Sequence, residues 1–267
     1  MGRKKQEVVL VDKWWETEEG RNGFRLLVRH YYDCVQERVD LDNMMGLKKD
    51  LTPKKKIPPR DERLLIPLFN YRDNRVDISA ELIKSITAHV EIHPLWQYFL
   101  KSVKGCGPTI AAVILSEFDI YKAPAASNLI SFAGIAPGKD RKIKGTKCPY
   151  NSWLKTKLCG VLAASFLKSK SPYTVHFYNE RQRLENSDRM VLEISKKGAK
   201  PAEIPWKDAK PAHRMRAAVR KMVRRFLIDL YVAWRTLENL PVRPPYETEY
   251  LGKVHHTEKL EKSKGIE

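Results

Sequence analysis

The sequence predicts an all-α protein, and three observations carry that reading. Apolar residues recur at steps of three and four at Phe24, Leu27, Tyr31, Cys34 and Val35. A second such run, Met215, Val219, Met222, Phe226, Leu230 and Leu237, marks a long amphipathic helix over 211–238. Only 8–11 reads as a possible strand.

The elements follow in chain order. The first helix runs from about Phe24 to Met45, with Gly46 as its stop. Residues 48–60 hold three prolines and six basic side chains and read as an exposed basic linker. Together, 1–60 are an N-terminal helix and its linker. A helical domain over 61–240 follows. A short helix is expected at 61–71, and Asp77 or Ser79 is placed to cap another that reaches His89. Pro94 suits the first turn of the next. Lys104-Gly105-Cys106-Gly107-Pro108-Thr109 then separates two apolar-periodic stretches, predicting a helix-hairpin-helix near 94–118. Beyond it come a short helix at 127–133, a basic loop over 137–147, and helices at 150–168 and 172–185. A polar surface excursion at 186–210 precedes the closing helix. Leu240-Pro241 ends that helix, and 241–267 reads as a flexible, disordered tail.

Composition narrows the function. Lys and Arg number 50 against 32 Asp and Glu, giving a net charge of +18. A basic chain of this kind meets a polyanion, and nucleic acid is the first candidate. No run of apolar residues is long enough to span a membrane. The 8–11 run is too short for a secretory signal, so no membrane partner and a cytoplasmic location are expected. Four cysteines form no C-x-x-C pair, and the seven histidines do not fall at ligand spacing around them, so no metal site is read.

Three basic features are candidate DNA contacts. In the hairpin, Lys104, Gly105, Gly107 and Thr109 would bring backbone amides and the opening of a helix to a phosphate. Such a grip holds the DNA backbone and does not read bases. In the loop, Arg141, Lys142, Lys144 and Lys147 stand close together with one acid, Asp140, nearby. On the closing helix, Arg214, Arg216, Arg220, Lys221, Arg224 and Arg225 fall opposite the apolar stripe, with Arg220 and Arg224 at its centre. Glu117, Asp119, Glu180 and Glu185 have no spacing that demands a metal and read as solvated or locally paired acids. The aromatics Trp96, Tyr98, Phe99, Tyr173, Phe177 and Tyr178 fall at helical steps and read mostly as core.

The blocks GCGPTIAAVILSEF, SNLISFAGIAPG, NSWLKTKLCGVLAASFL and SPYTVHFYNERQR, in this order, resemble the C-terminal domain of the Piv/MooV-related, DEDD-type insertion-sequence transposases, the families numbered one hundred and ten and one hundred and sixteen. The resemblance runs from about Leu95 to Arg183 and resumes over 213–237. It implies a mobile-element protein acting in DNA transposition or site-specific recombination, with DNA as partner and a structured guide RNA as a possible second one. A homo-oligomer follows from the need to bring DNA ends together. If the protein is catalytically active, Mg²⁺ is the implied cofactor.

The sequence departs from the family in two places. Complete members open with a nuclease sheet bearing four acids, whereas here only 8–12 resembles its first strand and acid. The segment that holds the family's serine nucleophile corresponds to 139–146, which contains no serine, and neither Thr146 nor Ser152 matches the motif. No catalytic residue is therefore assigned. The second reading that stays open is a non-catalytic DNA- or RNA-binding accessory protein that has lost the nuclease domain.

Overall fold

A computed structural model describes residues 11–48, 50–52, 61–137, 145–193 and 202–244. Helices dominate it, and the chain is all-α in class. Residues 8–10 of the expected strand, most of the linker and the tail beyond Pro244 lie outside the described residues. By its internal contacts the chain divides into two units. One comprises 1–97 with 107–117, and the other 98–106 with 118–267.

The first unit is built on two long helices, α1 (Glu18–Met45) and α2 (Glu62–Glu91), joined by α4 (Pro108–Glu117). The start of α1 lies earlier than the apolar period suggests. Thr17 caps it, its side chain accepting from the Gly20 amide, and Glu18 and Glu19 face the positive end of the helix dipole. Gly46 ends it in the left-handed conformation at φ 74°, as the sequence predicts.

The two helices expected at 61–71 and up to His89 are one continuous helix, α2. Ser79 does not cap a second start. Its hydroxyl donates to the Val76 carbonyl inside the same helix. Pro67 sits within α2, removing one amide bond without ending the helix.

α1 and α2 run antiparallel, and polar contacts fix their register. Arg72, buried, donates to Asp42 at 2.7 Å and to Asp73 at 2.9 Å. Arg75 pairs with Glu37 at 3.4 Å, and Tyr71 donates to the same carboxylate at 3.2 Å. At the other end Trp14 stacks on Phe24 and donates to the His89 carbonyl.

α4 is apolar on every side, which requires burial all round, and every residue from Ile110 to Glu117 is buried. Its last residue corrects the reading of Glu117 as a solvated acid. The carboxylate is 3% exposed and is gripped by Arg29 through two bonds of 2.9 and 3.1 Å. Arg25 adds a bond to the Ser116 carbonyl. The sequence carries no signal for this clamp, because its partners lie 88 to 91 residues apart.

His93 precedes the five-residue helix α3 (Pro94–Tyr98) and accepts from the Leu95 amide through Nδ1. Burial penalises its imidazolium and lowers its pKa to about 3. The ring is therefore expected to stay neutral in an NMR titration from pH 7 to pH 5, where solvated histidines gain their proton. Because the unfolded imidazole does protonate below its ordinary value of 6.5, this residue draws stability down as pH falls from 6.5 toward 3.

The second unit is organised by α9 (Pro211–Leu237), around which α5 (Ala126–Phe132), α7 (Ala163–Ser169) and α8 (Thr174–Glu185) pack. Met222, Val223, Phe226, Leu227, Leu230 and Tyr231 are almost wholly buried. Phe226 meets Phe99, Phe166 and Tyr173 at ring separations of 5.5 to 6.3 Å. The apolar stripe thus packs on the helices between 150 and 185, as expected, except that Met215 at its start is 49% exposed.

The helix read at 150–168 is α6 (Ser152–Thr156), a π turn (Lys157–Leu162) and α7 in succession, capped by Asn151. Residues 186–210 are not a plain excursion. β1 (Met190–Glu193) and β2 (Ala202–Pro205) pair antiparallel, with Met190 opposite Pro205 and Glu193 opposite Ala202. Glu193 then accepts from the Lys210 amide and anchors the start of α9.

Candidate nucleic-acid interface

Where the sequence predicts the glycine hairpin, the chain forms a five-residue helix, a 3₁₀ turn (Leu100–Ser102) and α4 in succession. Its first arm is much shorter than the sequence pattern suggests. The boundary between the two units passes between Cys106 and Gly107.

In the second unit, Gly105 has φ 93° and sits against α7. A Cβ there would lie 2.6 Å from Ser169 Oγ, 3.0 Å from Phe166 Cδ1 and 3.2 Å from the Ser165 carbonyl. Ser165 in turn donates to the Gly105 carbonyl at 2.8 Å. Packing and backbone conformation therefore demand this glycine without reference to any ligand. Lys104 beside it is exposed. The thiol of Cys106 is buried and pushed up to about 12, which leaves it inert at neutral pH.

In the first unit, Gly107 is the opposite case. It is exposed, its φ lies outside the left-handed range, and a Cβ would meet nothing within 4 Å. Its carbonyl accepts from Ile110 and Ala111, so it occupies the cap position ahead of Pro108. Thr109 is half-buried in the first turn. The fold gives no steric reason for glycine at 107. A partner's close approach would.

Arg141, Lys142 and Lys144 lie outside the described residues. Lys147, from the same loop, is exposed and leads into a basic-aromatic stretch that residue-by-residue reading missed. Lys155 lies over the Tyr150 ring at 4.6 Å and Lys157 over the Trp153 ring at 5.3 Å. Each such contact is worth about 0.5–1 kcal/mol near a surface. The four-residue spacing of Trp153 and Lys157 was available as a signal. The Tyr150 contact depends on Gly134, whose φ of 65° and missing side chain let the ring lie flat against it.

On α9 the basic residues do different jobs. Arg220, Lys221 and Arg224 are half-buried, and Arg216 is exposed. Lys221 and Arg224 are answered from α8. The Glu180 carboxyl is held below the usual carboxylate range first by its hydrogen bonds with Arg183, and further by Lys221 and Arg224. Arg214 is not on a ligand face, since it donates to the carbonyls of Lys207 and Ala209. Arg225 is a second correction. It is 8% exposed and pairs with Asp229 at 2.9 Å, beside the Tyr173 hydroxyl. Burial raises the Asp229 carboxyl despite both partners. Of the candidate aromatics, Trp96 and Phe177 are core, whereas Tyr98 and Tyr178 are more than half exposed.

Residues 97–179 match the model of the Transposase IS116/IS110/IS902 family. That stretch is a transposase-family segment covering under a third of the chain, and it stops short of α9. No curated protein and no solved structure matches the chain. Within the matched stretch twelve lysines and arginines face three acids. Among the described residues, no helix is long and apolar enough to cross a membrane, and no group of three or more His, Cys, Asp or Glu side chains is placed to hold a metal ion.

Two comparisons test these assignments by chemical denaturation. Gly105→Ala is expected to cost about 2 kcal/mol or more through strain and overlap with α7. Gly107→Thr, which introduces a hydroxyl at the cap position, is expected to stay within about 0.5 kcal/mol of the parent. Arg225→Ala is expected to cost about 3 kcal/mol or more, because Asp229 loses its buried counter-ion, while Arg216→Ala changes stability by about 0.5 kcal/mol or less.

Proposed function

We propose, from the premise that residues 97–179 are a transposase-family segment, that this chain is a nucleic-acid-binding protein of a mobile element, acting on DNA in transposition or site-specific recombination. The observation that carries the reading is the partition of charge. In α1 and α2, eleven acids stand against eight basic residues (six against four, then five against four), so the helical pair is net negative. The whole of the +18, and more, lies elsewhere, including the family segment and α9, where seven basic residues stand against Asp229. A cationic excess confined to one part of a chain is the footprint of phosphate neutralisation.

In this reading Lys104 and the open backbone at Gly107 contact phosphates, and Lys147, Arg220 and Arg224 add sequence-independent affinity. DNA is the proposed ligand. A structured guide RNA is the competing polyanion, and the reducing cytoplasm is the compartment that suits four free cysteines.

The second reading, an accessory protein that binds without cutting, is favoured by one specific observation. Residues 139–146, which correspond to the segment that holds the family's serine nucleophile, contain no serine.

A gel shift run beside a nicking assay on supercoiled DNA with Mg²⁺ or Mn²⁺ separates the readings: a shift with nicking supports the recombinase, and a shift without nicking supports the accessory protein. Arg220→Glu combined with Arg224→Glu is expected to weaken binding and to lower the salt slope by about two. Gly107→Thr is expected to weaken binding while thermal stability holds. If Gly107→Thr binds like the parent, the hairpin is only a corner. If the arginine pair is also silent, the interface lies elsewhere.

A further inference from the structure

Residues 141–179 hold eight lysines and arginines and not one aspartate or glutamate. The stretch contains α6 and the π turn, and two of its lysines are held over aromatic rings there, Lys155 over Tyr150 and Lys157 over Trp153. Trp153 and Lys157 are four residues apart and share one face of the helix. Gly160 lies about one turn beyond Lys157, inside the π turn. It is exposed, its φ lies outside the left-handed range, and a Cβ would meet nothing within 4 Å. Glycine weakens a helix relative to alanine, and nothing among the described residues requires it at 160. A basic residue of α9 borders the same place: Arg224 reaches the Ile135 carbonyl at 3.5 Å, next to the Gly134 that seats Tyr150.

The chemistry of this row selects the form of its partner. A duplex keeps its base faces stacked on one another and presents phosphates and groove edges to a protein. A surface ring adds little to a grip on such a backbone. Unpaired bases have open π faces, and a single strand binds where aromatic rings alternate with cations that follow its phosphates. Mutual support of ring and ammonium accounts for the two lysine contacts on a helix surface. It does not account for an open glycine in the same row, whereas a strand passing close to the backbone does.

We infer that the row Trp153, Lys157 and Gly160, flanked by Tyr150 and Lys155, is a stacking platform for the unpaired bases of single-stranded DNA. The inference rests on the nucleic-acid reading above and deepens it by naming the form of the strand. Trp153 meets a base, Lys155 and Lys157 meet phosphates, and Gly160 leaves room for the sugar-phosphate backbone.

Fluorescence anisotropy on the full chain measures affinity for a labelled oligothymidylate of about 12 nucleotides, a length within the span of such platforms, and for a duplex of similar length. Trp153→Ala should raise the dissociation constant for the strand about tenfold, as the loss of one stacked base, and change that for the duplex less than about twofold. Trp153→Phe keeps a ring and should stay within about threefold of the parent on the strand. Gly160→Leu should weaken strand binding about fivefold without lowering the melting temperature, since leucine favours a helix and the position is open. Lys155→Ala combined with Lys157→Ala should lower the salt slope on the strand by about 1.4, at about 0.7 for each phosphate lost. If Trp153→Ala and Gly160→Leu bind the strand like the parent, or weaken strand and duplex alike, the platform is overturned while duplex binding still upholds the functional reading. A chain that binds neither strand nor duplex overturns both. Tighter binding of an oligouridylate of the same length overturns the assignment to DNA.

Discussion

Like charge is the constraint on which the arrangement of this molecule depends. Fifty lysines and arginines cannot be placed at random around two cores without a mutual repulsion that opposes folding. The chain meets this in two ways. Several arginines are spent as internal fasteners: Arg29 on Glu117, Arg72 on Asp42, Arg225 on Asp229, and Arg235 on the carbonyls of Ala123 and Pro241. Each places a guanidinium where its fixed fork satisfies oxygens that burial would otherwise leave costly. Others, among them Lys104, Lys147 and Arg216, stay exposed on the second unit.

The fasteners also explain how each unit is tied together. In the first, both ends of the long helical pair are fixed by polar contacts, with Arg72 at one end and the Trp14–His89 bond at the other. The all-apolar α4 then enters against them, closed by Glu117. In the second, the rear half of α9 is buried on nearly every side. Tyr231 donates to the Pro124 carbonyl and accepts from the Arg243 amide, so even its polar atom is used. Hydrophobic burial supplies the drive, and these bonds select a single register.

Period and capping made much of this legible in the sequence. The end of α1 at Gly46, the start of α3 at Pro94 and of α4 at Pro108, and the extent of α9 all follow from local chemistry. What local chemistry could not supply was tertiary override. The prospective cap at Ser79 is silent because α2 has a partner helix to continue along. Met190–Glu193 pairs into a strand only because residues 202–205 return to it. In the candidate interface, helical projection gathered six basic residues of α9 but could not tell that Arg214 and Arg225 are engaged within the chain. Arg225 is buried against Asp229 beside Tyr173, a pairing that no helical wheel shows.

The two hairpin glycines form a matched pair of opposite origin, two residues apart. At Gly105 the chain's own helix α7 forbids a side chain. At Gly107 nothing among the described residues does. Among descendants of this sequence the first should therefore persist for as long as the protein folds, whatever it has ceased to bind. The second should drift to serine, threonine or asparagine as soon as the partner is lost. Position 107 is thus a record of use and position 105 a record of architecture.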